Sequence, residues 1–196
     1  MKRFSLALLL LLAVSATAFG QLGEIWLNFG KTNARNNSLS TVDFGEGLGD
    51  LTYDTGFRFD ARLTLNNDAF FGHEFGYAYN RGKVKLGGED YFNMSAHQGM
   101  YNFLLYATPE GSPIRPFATG GGHFTAFYPP GSNIFSGHSE TKFGFNYGGG
   151  VKVRVGDKWA VRLDVRDYWQ GKPDFGTRPE GLLKLLVVSA GFGLVF

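Results

Sequence analysis

The sequence contains no cysteine. It therefore has no disulfides to rely on and no lipidated cysteine to anchor it. Long apolar runs are missing as well. Past residue 14, nothing approaches the roughly 20 apolar residues of a membrane-crossing helix. Excess charge of one sign is also absent. Leaving out Lys2 and Arg3, 17 of the 19 basic residues remain against 17 acidic ones. A neutral chain has no electrostatic footprint for nucleic acid. The 4 histidines, His73, His97, His123 and His138, include no H-E-x-x-H or other zinc spacing, so neither metal nor cofactor is expected. The Gly45-x-Gly47-x-Gly49 run lacks the strand–helix setting of a dinucleotide site and reads as a flexible loop.

Glycine and aromatic residues are plentiful instead. The 29 glycines show no collagen period, and glycine is costly in helices, so the excess favours β structure. An aromatic fraction of 16% and a hydrophobic fraction of 43% are too high for a disordered chain. Residues 1–18 read as a secretory signal peptide: Lys2 and Arg3, then the apolar Leu6 to Val14, then Ala16-Thr17-Ala18 as the cleavage site. Residues 19–196 are expected to form one domain.

Period-two alternation runs through that domain. In Leu182 to Phe196, the residues Leu186, Val188, Ala190, Phe192, Leu194 and Phe196 share an apolar face. In Gly56 to Asn66, Phe57, Phe59, Ala61, Leu63 and Leu65 lie opposite Arg58, Asp60, Arg62, Thr64 and Asn66. Further strands are expected over 24–30, 69–81, 94–108, 114–127, 142–155 and 159–169, with the faces of 114–127 unassigned. The connections 31–55, 82–92, 128–141 and 171–181 read as long polar loops, and those between them as tight turns. Short turns at one end and long loops at the other are the pattern of an eight-stranded antiparallel up-and-down transmembrane β-barrel, an all-β fold. Trp159 and Trp169 share a face ten residues apart. That is roughly 33 Å of strand at about 3.3 Å per residue, or about 25 Å after a tilt of about 40°. Trp159, Trp169 and Phe196 are the expected aromatic girdle.

Ile114-Arg115-Pro116-Phe117 leading to Gly120-Gly121-Gly122 resembles the fifth strand of the small OmpA-like outer-membrane β-barrel proteins. Gly148-Gly149-Gly150-Val151-Lys152 and Gly156-Asp157-Lys158-Trp159 resemble their next two strands, and the terminal Phe196 matches their assembly signal. The resemblance spans the whole domain without the peptidoglycan-binding domain of full-length OmpA, so anchoring to the cell wall is not carried over. It implies a place in the bacterial outer membrane. The implied partners are outer-membrane lipids, lipopolysaccharide and, during biogenesis, the assembly machinery, with the protein a monomer.

The alternation turns Arg58, Asp60, Arg62, Glu74, Lys152, Arg154, Arg162, Asp164 and Arg166 inward. Eight strands leave a lumen that side chains just fill, so these charges should pair as a plug. The expected protein is not an enzyme and supports the envelope or surface contacts through its long loops. Two alternatives differ in class. A lipid A deacylase or acyltransferase would need Ser136, His138 or Ser139 to converge at the outer rim, and a narrow solute pore would need an open lumen.

Overall fold

The computed structural model describes residues 22–36, 38–43, 48–130, 139–174 and 181–196. The expected signal peptide lies outside the described residues. Nine strands follow in chain order: β1 (Leu22–Asn36), β2 (Ser38–Asp43), β3 (Leu48–Asn66), β4 (Phe71–Leu86), β5 (Glu89–Tyr106), β6 (Ile114–Tyr128), β7 (Glu140–Arg154), β8 (Trp159–Gly171) and β9 (Leu182–Val195). Each pairs antiparallel with its neighbour in sequence, except that β1 pairs with β9 on one side and β3 on the other. Eight strands thus close a barrel, and the short β2 only extends the free upper part of β3. Below β2 the closure leaves no strand edge, which is what a sheet in lipid requires. The seam is tied at its base, where the N–H of Gly23 and of Phe196 each donates to the other's carbonyl at 2.9 Å.

Outward positions in the lower barrel are apolar and exposed, among them Phe29, Phe57, Leu63, Phe75, Tyr101, Phe145, Leu163, Val188 and Phe192. Inward positions are mostly polar or charged and buried, among them Asn28, Arg58, Asp60, Arg62, Glu74, Arg162 and Arg166. This inside-out distribution suits lipid outside and a packed polar lumen inside. On β4 the outward series, aromatic except for His73, runs from Phe71 to Tyr79. Eight steps of about 3.4 Å give about 27 Å of strand, or about 21 Å after tilt, close to the height of a bilayer's apolar band.

The strands are longer than the sequence pattern suggests. The segments 31–55 and 82–92, expected as loops, are largely paired strand. β4 and β5 meet in a two-residue turn, Gly87 and Gly88, both with positive φ (60° and 94°), as a type I′ hairpin needs. The reason lies in an inversion of polarity. Above Tyr79 the outward residues of β4 become Arg81, Lys83 and Lys85, while Val84 turns inward and is fully buried. Outside the lipid, the barrel wall is built like that of a soluble protein. Leu39, Leu51, Tyr53, Val84, Met94, Phe127, Leu183 and Leu185 form an apolar core within its upper end.

Candidate functional site

The lumen is the only place where chemistry-bearing side chains gather at depth among the described residues. Space for them comes from glycine. On β7, Gly148 and Gly150 face inward, and a Cβ at Gly148 would lie 2.8 Å from the Arg166 Cα and 2.9 Å from its Cγ. A Cβ at Gly150 would lie 2.8 Å from the Phe117 ring. The Gly148-Gly149-Gly150 run thus opens the side of the lumen that the arginines of β8 fill.

Arg58, Asp60 and Arg62 stand at alternate positions on β3, Glu74 on β4, and Arg162, Asp164 and Arg166 at alternate positions on β8. Their side chains meet at mid-height. Asp60 accepts from Arg62 at 2.7 Å, from Arg58 at 3.1 Å and from the Asn28 amide at 2.7 Å. Glu74 accepts from Arg162 at 2.5 Å, Arg166 at 2.7 Å and the Thr64 hydroxyl at 3.3 Å, with Arg62 at 3.5 Å. Asp164 accepts from Arg162 at 2.7 Å and Arg166 at 2.9 Å, with Arg62 at 3.4 Å. All the side chains in these three carboxylate clusters are essentially buried. Four guanidinium groups therefore share three carboxylates. The surplus cation is Arg58, which also donates to the Asn80 side-chain oxygen at 3.1 Å and to the Tyr168 hydroxyl at 3.3 Å. Shared partners and charge-assisted hydrogen bonds are what make such burial tolerable.

Lys152 is not in that cluster. It forms a second one at the lower mouth, bonded to Glu24 and donating to the Tyr106 hydroxyl at 2.7 Å. Glu24 also accepts from the Trp26 indole N–H at 2.7 Å and from the Asn66 side-chain amide at 3.0 Å. Arg115 stacks 3.7 Å over the Tyr106 ring and pairs with Glu110 at 2.5 Å. Arg154, grouped by its alternation with the inward charges, stays half-buried at the rim and pairs with no carboxylate among the described residues. It is the last residue of β7, where the wall ends and the side chain is partly open to solvent. Glu24, Glu110 and Arg115 are the members that pattern reading missed. β6 carries small and apolar residues on both faces, so its period-two contrast vanishes and Arg115 cannot be given a side from sequence alone.

From bottom to top the lumen thus holds a charged mouth, an arginine-rich middle, a polar layer and an apolar cap. The polar layer includes Gln98, which donates to Thr125 at 3.0 Å, and Gln170, which accepts from Thr125 at 2.7 Å and sits 3.0 Å from His123 Nε2. A cavity of about 10 Å³ lies between this layer and the cap, and one of about 20 Å³ lies at the mouth. Each has room for about one water.

Other sequence candidates fall elsewhere. His73 and His97 face outward, His73 bonded to Tyr101 at 2.7 Å and His97 to Tyr77. Trp159 is exposed near the lower rim, and Trp169 lies at the upper one with Lys184 stacked 3.8 Å over its ring. Phe196 is half-exposed beside the seam. Ser136 and His138 lie outside the described residues. Ser139 is exposed at the upper end. Among the described residues, no three His, Asp or Glu side chains gather as a metal site would need.

The family model of the outer membrane protein β-barrel domain matches residues 4–196, nearly the whole chain. The chain belongs to that family. Its place is the bacterial outer membrane, and the barrel's apolar band is its contact with lipid. No curated protein matches it. Among solved structures it is similar to the outer membrane protein OprG from Pseudomonas aeruginosa. Identity there is 16%, over 90% of this chain and 96% of that one, with a TM-score of 0.65. Neisserial surface protein A gives 17% identity, 90% and 97% coverage and a TM-score of 0.56. The N-terminal β-barrel domain of Pseudomonas aeruginosa OprF gives 10% identity, 89% and 97% coverage and 0.53. At such identities the shared property is the fold. Outer-membrane orientation puts the short turns, near residues 67–70, 107–113 and 155–158, in the periplasm and the hairpin ends outside.

Proposed function

We propose that this barrel is a non-enzymatic structural protein of the outer membrane. It works as a closed, monomeric wall element whose contacts are made by its outer face and upper hairpins. The observation that carries this reading is the filled lumen: three carboxylates held by four arginines, capped by an apolar core. A solute path would have to break many charge-assisted hydrogen bonds and then cross a dry layer, and neither step is compatible with steady flow. Lipids and lipopolysaccharide are the partners that the outer face fits, and the assembly machinery is the partner that Phe196 fits at the seam. Two measurements test this. Proteoliposomes loaded with small sugars or amino acids should release them no faster than empty liposomes. Lipid A mass spectra should be identical with and without the protein. Solute release at porin-like rates would establish a pore, and a shifted lipid A mass would establish an enzyme.

A further inference from the structure

Around the upper edge of the apolar band, one sector of the wall differs from the rest. Phe29 and Phe59 on β1 and β3 have ring centroids 5.1 Å apart. Tyr79 on β4 lies 5.9 Å from Phe57 and 5.2 Å from the ring of His97 on β5. The ring of Tyr128 lies 5.3 Å from that of His97. This row of rings continues across five strands and marks the upper membrane interface, where aromatic girdles sit. Directly above it, Lys31 pairs across to Phe57, and Phe57 pairs across to Arg81. The two residues therefore flank one aromatic ring, their Cα atoms about 10 Å apart at two strand spacings. One step higher on β4, Lys83 pairs across to Asn93. Lys31, Thr55, Phe57, Arg81, Lys83 and Asn93 line an open groove of about 640 Å³ on the outer wall.

The cations of this groove are not all spent on neighbours. Lys83 is bonded to Asp90, but neither Lys31 nor Arg81 forms an ion pair among the described residues. Three other cations near the same rim are paired: Arg35 with Asp167 at 3.3 Å, Lys142 with Glu140 at 2.5 Å and Lys85 with Asp54 at 2.8 Å. Two free cations over an aromatic shelf, at headgroup height, match an amphiphile that is anionic at the top and apolar below.

We propose that Lys31 and Arg81, assisted by Lys83, bind the phosphate of a phosphorylated outer-leaflet glycolipid, with its acyl chains lying along Phe29, Phe57, Phe59 and Tyr79. Free phosphate would gain nothing from the aromatic shelf, and a zwitterionic lipid would bring its own cation into the groove. The site rests on the proposed contact with lipopolysaccharide and gives that contact a place. It leaves the lumen uninvolved.

The test is a titration of purified full-length barrel in neutral detergent, with bound lipid counted by native mass spectrometry. The probes are diphosphorylated lipid A, the same lipid stripped of phosphate, and inorganic phosphate. Diphosphorylated lipid A should bind well above the stripped form. Lys31→Gln with Arg81→Gln should weaken it about fivefold per cation, so roughly 25-fold together. Lys31→Arg with Arg81→Lys should keep the binding, and Lys142→Gln, a rim cation outside the groove, should leave it unchanged. Inorganic phosphate at millimolar concentration should not displace the lipid. Equal binding by the double Gln variant, or an equal loss in Lys142→Gln, overturns the site while leaving lipopolysaccharide contact standing. Displacement by inorganic phosphate makes it a free-anion site and overturns the lipid assignment. No lipid A bound by the wild type overturns both the site and the contact it rests on.

Discussion

Glu74→Ala perturbs the centre of the lumen most directly. Glu74 is fully buried on β4 and holds Arg162 at 2.5 Å and Arg166 at 2.7 Å. Its removal leaves four buried arginines on two carboxylates and strips the two short hydrogen bonds from Arg162 and Arg166. Each such bond contributes about 1.5–3 kcal/mol, and breaking a buried pair from one side typically costs about 3–5 kcal/mol. The two routes agree on about 3–5 kcal/mol, less whatever water entering the new space returns. Equilibrium urea unfolding in lipid vesicles, followed by Trp fluorescence, reads the loss as a shift in midpoint at constant slope. Pairing Glu74→Ala with Arg162→Met should recover a good part of it, because the second change removes a cation that the first had orphaned. A loss below about 1 kcal/mol, or a double variant as unstable as the sum of the singles, would show that the lumen charges are hydrated rather than interlocked.

Three further outcomes follow from the geometry. Leu163→Arg puts a cation on the lipid-facing wall of β8 and should cost about 2–4 kcal/mol, whereas Val155→Arg at a periplasmic turn should cost about 0–1 kcal/mol; equal costs in the same urea assay would contradict the depth assignment. Gly148→Val should drive a side chain into Arg166 and cost about 1–3 kcal/mol by overpacking, and unchanged stability would mean that the lumen is looser than described. Phe196→Asp should reduce the yield of folded protein in the outer membrane of cells, and normal yield would remove Phe196 from any assembly role.

How much of this was legible in the sequence depends on contrast between faces. Phe57 to Leu65 against Arg58 to Asn66 is unmistakable, because on this strand the face toward the membrane is apolar throughout and the face toward the lumen polar throughout. The upper barrel hides because that contrast reverses there. Arg81, Lys83 and Lys85 outside and Val84 inside still alternate, but on the opposite phase, and the reversal itself marks where the strand leaves the lipid. The central charges could be placed on the lumen side from alternation. Their partition could not. Lys152 and Glu24 are 128 positions apart and meet only because β1 and β7 curve around one lumen. Arg154 shows the converse limit, since parity gives a side but not a height, and at the rim the same side faces water.

The central claim is that the lumen is filled and does not conduct, and single-channel recording in planar bilayers tests it most directly. Wild-type barrel inserted at single-molecule density should give no steady current above the bilayer baseline in molar KCl. Glu74→Ala, with its middle layer loosened, should give brief openings at most, because the apolar core of Leu51, Tyr53, Phe127 and Leu183 still caps the path. A large, steady open level from wild-type monomers would contradict the account and make the barrel a pore.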